Sequence, residues 1–251
     1  MSATAPSPTA PPAGRHQEVL RLENVGVFYN RQGGLFDRKP TRMWALHDVS
    51  LTLYKGETLG VIGRNGAGKT SLLKVLTGIL KPDRGTMINH GYRAALLSLQ
   101  VGFVPYLSGR ENAILSGLLL GMKRREIDDK MADIVAFAEL EELFDEPLGT
   151  YSAGMRARLG FSVAVHVDPD VLLIDEVFGV GDADFIRKSR KVMRQKMRSD
   201  KTVVLVSHNT REIRQLCDRA VWIHHGKSVC EGPPDEVLRA YQESVRRQRR
   251  G

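Results

Sequence analysis

Thr58-Leu59-Gly60-Val61-Ile62-Gly63-Arg64-Asn65-Gly66-Ala67-Gly68-Lys69-Thr70-Ser71 is the stretch from which the fold of this chain is read. A short, mainly apolar strand runs straight into a glycine-rich loop, and Ser71 to Leu76 then continues with helical spacing. The octet Gly63 to Thr70 fits G-x-x-x-x-G-K-[ST]. Its glycines allow successive backbone N–H groups to turn toward one concavity, a nest for phosphate oxygens. Lys69 is spaced to reach the outer phosphates of a nucleotide, and the Thr70 hydroxyl to ligate Mg²⁺. The helix that follows aims its positive end at the same anion. Gly63, Arg64, Asn65, Gly66, Ala67, Gly68, Lys69, Thr70 and Ser71 are therefore the first candidate binding residues, with ATP and Mg²⁺ as their ligands.

A second signal lies a hundred residues downstream. The apolar run Val171-Leu172-Leu173-Ile174 stops on Asp175-Glu176. Adjacent carboxylates at the end of a buried strand are costly without a partner cation, and nucleotide-bound Mg²⁺ supplies one. Asp175 is expected to hold the metal through water, and Glu176 to polarise or deprotonate the attacking water.

Around these two points the chain alternates. Upstream, Val19 to Leu22 and Val25 to Tyr29 read as two strand-like pieces, Asn30 to Arg42 as a connecting loop, and Val49 to Leu53 as a strand. Residues Leu99 to Val165 read as mainly helical, with helices predicted over Glu111–Met122, Ile127–Phe137 and Gly154–Val165. Strands over Val171–Ile174, Thr202–Val206 and Ala220–His224 then alternate with helices over Ala183–Arg198, Thr210–Leu216 and Glu236–Arg246. The expectation is an α/β core with a mostly parallel sheet, interrupted by a helical block over about 99–165. Met1 to Gly14 holds four prolines and no charged side chain, so a disordered tail over 1–15 is expected before a single domain over 16–251.

Composition narrows the classes. The 251 residues are 42% hydrophobic and 26% charged, an ordinary globular balance. The longest apolar-leaning stretch, Ala113 to Met122, is about half of the roughly twenty residues a membrane-crossing helix needs. No pattern of a cleavable signal peptide is present. Work at a membrane would therefore need a membrane-spanning partner. Cys217 and Cys230 form no CxxC pair and read as reduced thiols. The formal charge is +8, with Arg246, Arg247, Arg249 and Arg250 at the C-terminus. These arginines could meet lipid headgroups or nucleic acid, but the plainer reading is a frayed, solvated tail. No aromatic residues interleave with them, which weighs against single-stranded nucleic acid.

Five further features bring in a family. Tyr151-Ser152-Ala153-Gly154-Met155 resembles the LSGGQ signature of ABC ATPases. Asp182 stands where that family's D-loop aspartate falls, and His208 resembles its switch histidine. Gln100 matches the Q-loop glutamine within about a residue, and Tyr29 the aromatic residue that stacks on adenine. Trp44 is the alternative for that stacking, although core packing is its plainer reading. The resemblance extends from Val19 to about Tyr241. It implies a P-loop NTPase core of ABC ATPase type, with an antiparallel β subdomain and an inserted helical subdomain.

Asp175-Glu176-Val177-Phe178-Gly179-Val180-Gly181-Asp182-Ala183-Asp184-Phe185 looks like the DEV-x-x-V-G-D-x-x-F pattern of subunits that export O-antigens, teichoic acids and capsule-type polymers. Leu107 to Asn112 and Gly232 to Val237 are similar to other stretches of those proteins. Some of them carry a C-terminal carbohydrate-binding domain, which is not expected here. The resemblance implies a head-to-tail dimer that sandwiches two ATP molecules. Ser152 and Gly154 of one copy would contact the γ-phosphate held by Lys69 of the other, with Glu176 and His208 as catalytic partners. Gln100 would stand near the metal with Thr70 and Asp175, and near the docking place of a polytopic permease. The implied cargo is a lipid-linked polysaccharide (a galactan, an O-antigen or a teichoic acid), moved from the cytoplasmic face of the membrane. A drug or lipid cargo is the nearer alternative. A soluble ABC ATPase acting on nucleic acid or ribosomes is the more distant one.

Overall fold

The computed structural model describes residues 17–31, 41–175 and 182–250. Along the chain these form β1 (Glu18–Arg31), β2 (Thr41–Tyr54), β3 (Thr58–Ile62), α1 (Lys69–Leu76), β4 (Arg84–Asn89) and β5 (Ala94–Leu97). Three helices follow, α2 (Gly109–Leu119), α3 (Arg124–Ala138) and α4 (Ala153–His166). The remainder is β6 (Val171–Asp175), α5 (Ala183–Met197), β7 (Thr202–Val206), α6 (Thr210–Leu216), β8 (Arg219–His224), β9 (Lys227–Gly232) and α7 (Pro234–Arg250).

The strands form one sheet in the order β4-β1-β2-β9-β8-β3-β7-β6-β5. From β8 to β5 every neighbour is parallel, and β3 and β7 are buried along their whole length. Such strands need cover on both faces, which is why they read as unbroken apolar runs. The other flank is mainly antiparallel, with β1 against β2 and β4, and β8 against β9, while β2 meets β9 in parallel at Asp48 and Lys227. Alternate side chains divide the core between the two faces. Val171, Leu173, Val204 and Val206 pack with Leu72, Leu73 and Leu76 of α1. Leu172, Ile174, Val203 and Leu205 share the other cluster with Phe161, Phe185, Met193 and Leu238 of α4, α5 and α7. The expected architecture is present: a parallel core, an antiparallel flank and a helical insertion.

Four local expectations are corrected. The two strand pieces before Tyr29 are one strand, bent at shifts in register around Val25, with Asn24 in the left-handed region at φ 49°. The pairing of Asn30 with Arg42 carries that hairpin into the expected loop, of which residues 32–40 lie outside those described. The helical block begins only at Gly109, because Leu99 to Gly102 form turns. The C-terminal arginines belong to α7 rather than to a frayed tail, and Arg246 and Arg247 are exposed on it. The expected tail over 1–15 lies outside the described residues. Among the described residues no helix is long and apolar enough to cross a membrane.

At the sheet edge remote from the glycine-rich loop, a buried charge cluster supplies a pH handle. Glu57 is fully buried, and its Oε1 accepts from Tyr54 N at 2.7 Å and Arg219 Nη2 at 3.3 Å. Arg219 also meets Glu231 at 3.0 Å. Burial pushes the Glu57 carboxyl up to about 7, against the pull of Arg219. Its folded value thus lies above the ordinary 4.5, so the folded chain holds a proton that the unfolded chain has released. That contribution to stability is complete below the ordinary carboxylate range and is lost as pH rises through about 7. Urea midpoints should therefore fall between pH 5 and pH 8, and Glu57→Gln should flatten that part of the profile. An unchanged slope in the variant would remove Glu57 as its source.

Candidate functional site

Parallel pairing brings the chemistry to one edge. Val61 of β3 pairs with Val206 of β7, and Val206 pairs in turn with Asp175 of β6. The glycine-rich loop, the acidic strand end and the Ser207-His208 turn therefore leave the sheet side by side. This is the crevice outside the carboxyl ends of parallel strands where ligands of open α/β sheets bind.

The loop keeps its shape through close backbone packing. Gly68 has φ 104°, and a Cβ there would lie 2.4 Å from the carbonyl oxygen of Ala45. A Cβ on Gly63 would lie 2.4 Å from the carbonyl oxygen of Ile223. Gly226 N donates to Ala67 O at 3.0 Å, so the β8–β9 turn buttresses the loop from behind. Nothing local in the sequence announces that support. Lys69 Nζ donates to Gly63 O at 2.8 Å and to Arg64 O at 3.2 Å.

A cleft of about 670 Å³ opens beside the loop, lined by Asn65, Gly66, Gly68, Lys69, Thr70, Ser71 and Asp175. Its far end is lined by Tyr29, Met43, Trp44 and Ala45. The Thr70 hydroxyl donates to Asp175 Oδ2 at 3.2 Å, although 105 residues separate them. A hydroxyl and a carboxylate at this distance are hard oxygen donors, the set that suits Mg²⁺. The Tyr29 hydroxyl lies 3.3 Å from Ser71 Oγ. Trp44 is 42% exposed and meets Phe28 edge-on at 5.5 Å. It is therefore a wall of the cleft, which corrects the core-packing expectation. Met43 and Ala45 were missed in the sequence, and only their place beside Trp44 pointed to them.

Of the other candidates, Arg64 and Ala67 line a smaller recess of about 170 Å³ with His224 and His225. Gln100, Ser152, Gly154, Asp182 and His208 are not among the residues lining the large cleft. Gln100 sits in the left-handed region at φ 61°, in the turn after β5, against Gly160 of α4. Ser152 caps α4 by accepting from Met155 N at 3.1 Å. A Cβ on Gly154 would meet only Ser152 Oγ, at 3.8 Å, so packing within the chain does not require glycine there. Asp182 caps α5 by accepting from Phe185 N at 2.8 Å, a bond that holds its carboxyl below the usual range. His208 is exposed in the turn after β7. Glu176 lies outside the described residues.

The aromatic end of the cleft can be tested directly. The chain has two tryptophans, and Trp222 is buried. ATP should quench the fluorescence of Trp44, and Trp44→Phe should abolish the quench. Comparing ATP affinity in Tyr29→Ala and Trp44→Ala then identifies the stacking ring, since base–aromatic stacking is worth about 1–3 kcal/mol. Unchanged affinity in both variants would exclude an adenine platform at this end.

The ABC transporter family model matches residues 46–179. The O-antigen export system ATP-binding protein RfbB of Klebsiella pneumoniae is 42% identical over 207 residues, 82% of this chain and 84% of that one. RfbB of Myxococcus xanthus is 47% identical over 208 residues, 83% of this chain and 48% of its own length. The teichoic acids export ATP-binding protein TagH of Enterococcus faecalis is 42% identical over 213 residues, 85% of this chain and 47% of its own. The chain thus spans about half the length of the last two. A dimeric ATP-binding cassette in a post-hydrolysis state, bound to ADP and Pi, shares the fold with a TM-score of 0.67 at 22% identity. That likeness covers 86% of this chain and 98% of the cassette. The glycine-rich loop and the Asp175 carboxylate share one cleft, in a fold and a sequence that both match this family. The chain belongs to the ABC transporter family, and its chemistry is ATP hydrolysis.

Proposed function

We propose that this ATPase powers export of a lipid-linked polysaccharide, working as a head-to-tail pair beneath a polytopic permease at the cytoplasmic face of the membrane. The observation that carries the cargo class is the 42% identity to the Klebsiella O-antigen export subunit over 84% of that protein. The departure at Val177 to Phe185 from the common pattern after the acidic strand end supports the same subfamily.

In this reading the loop amides and Lys69 hold the β- and γ-phosphates, which places most of the catalytic work in positioning. Thr70 and Asp175 would hold Mg²⁺, which supplies charge neutralisation on the phosphate oxygens. Glu176 orients a water toward the γ-phosphorus, the bond to the β-phosphate oxygen breaks, and ADP and phosphate leave. His208 contacts the γ-phosphate from the turn beside Asp175. Ser152 and Gly154 reach that phosphate from the second copy. The open space over Gly154 and the capped N-terminus of α4 suit such an approach. Loss of the γ-phosphate removes contacts that favour the closed pair, and the permease near Gln100 and the helical block converts the opening into transport.

The test is genetic and chemical together. Removing the chain from its host should leave lipid-linked polymer inside the cell. The wild-type chain should restore surface polymer, and Lys69→Ala should not. Normal surface polymer in the deletion strain would overturn the cargo assignment while leaving the ATPase intact.

A further inference from the structure

The stretch Leu107-Ser108-Gly109-Arg110-Glu111-Asn112 has no contact with the nucleotide cleft, yet its side chains are spent on one local construction. Ser108 and Glu111 form a reciprocal cap at the start of α2. Asn112 is fully buried, and every hydrogen-bonding site of its amide faces backbone or lies among it. Its Oδ1 accepts from Val104 N at 2.7 Å, and its Nδ2 donates to the carbonyls of Val104, Leu107 and Ser108. Asn112 thereby pins the turn that follows Gln100 onto α2.

A second segment is zipped against the first. Arg110 N donates to Phe144 O, Gly109 N to Glu146 O, Leu148 N to Leu107 O and Gly149 N to Pro105 O, at 2.7–3.2 Å. Tyr151 closes the junction. It is buried, and its hydroxyl donates to Leu143 O at 2.6 Å. A Cβ on Gly109 would lie 2.3 Å from that hydroxyl oxygen, so the ring occupies the space that a side chain at 109 would take. Burial and the nearby Asp145 and Glu146 push the phenol up from its ordinary range. The residue after Tyr151 is Ser152, the cap of α4.

We infer that Tyr151 is a positioning residue for ATP hydrolysis: its hydroxyl, seated over Gly109, locks Ser152 and Gly154 to the block that Asn112 ties to the Gln100 turn. The LSGGQ signature that this stretch resembles begins with leucine; the chain carries a phenol there, and its hydroxyl makes a directional bond that leucine cannot make. A shift of the Gln100 turn is then passed through Asn112 and Gly109 to the signature turn as one rigid piece. This rests on the reading of Ser152 and Gly154 as γ-phosphate contacts for a second copy.

Tyr151→Phe keeps the ring and removes only the bond to Leu143. ATP turnover and ATP-driven dimerisation, the latter followed in a Glu176→Gln background, are each expected to weaken about tenfold, the effect of one lost hydrogen bond. The KM for ATP, set by the chain's own phosphate loop, should stay within twofold, while the melting temperature falls by no more than about 5 °C, the same lost bond read as stability. Unchanged turnover, or a parallel loss of KM, turnover and melting temperature, would overturn the proposal. Ser152→Ala is the control. If it too leaves turnover and dimerisation unchanged, the reading of the signature fails. If it abolishes both while Tyr151→Phe does nothing, the signature reading stands and the locking role of Tyr151 is wrong.

Discussion

Glutamine in place of Glu176 is expected to lower ATP turnover at least about a hundredfold while leaving ATP bound, because general-base assistance contributes about 10²–10⁴ in rate. The substitution keeps shape and hydrogen bonding and removes the charge that draws the water's proton. Glu176 follows Asp175 directly, and Asp175 already meets Thr70 at 3.2 Å at the end of β6. Phosphate release should collapse, and with ATP held uncleaved the mass in solution should shift from one copy to two. A variant that hydrolyses ATP as fast as wild type would remove Glu176 from the catalytic role. One that is inactive yet stays a single copy would place the pairing step under the permease's control.

The second large effect concerns the loop itself. Gly68→Ala should destabilise the chain by about 3 kcal/mol or more and abolish measurable ATP binding. A left-handed residue with a Cβ costs about 1–2 kcal/mol, and here the Cβ also runs into backbone. It would lie 2.4 Å from Ala45 O, which cannot move without shifting β2, and 2.8 Å from Leu46 Cδ2. Gly66 is the matched comparison. Its φ is 79°, and nothing lies within 4 Å of a Cβ there. Gly66→Ala should therefore cost only about 1 kcal/mol, the conformational term alone. Urea unfolding of the two variants separates the contributions. Equal stabilities would mean that the Ala45 contact relaxes freely and that Gly68 is retained for its backbone angle alone.

Comparison of particular elements shows how much was legible. β3, β6 and β7 were read within a residue, because a strand covered on both faces is an unbroken apolar run. β4, β5 and β9 were missed. Their burial is mixed: β4 and β5 are the two edges of the sheet, β9 meets β2 at the single pair Asp48 and Lys227, and periodicity is weak over 4–6 residues. The arginines at the C-terminus read as a loose end because charge alone does not show that α7 begins packed on β8 through Val237 and Leu238.

By itself the sequence determined the phosphate loop, the acidic strand end and the α/β order, since each depends on residues adjacent in the chain. Local spacing is enough for a nest of N–H groups or a strand that ends on carboxylates. Tertiary structure alone decided that Thr70 meets Asp175, that Trp44 faces the cleft, and that Gly226 supports the loop at Ala67. It also decided that the Tyr151 hydroxyl fills the space beside Gly109. Each of these joins residues far apart in sequence, and their contact is set by strand order and register, which no local pattern encodes.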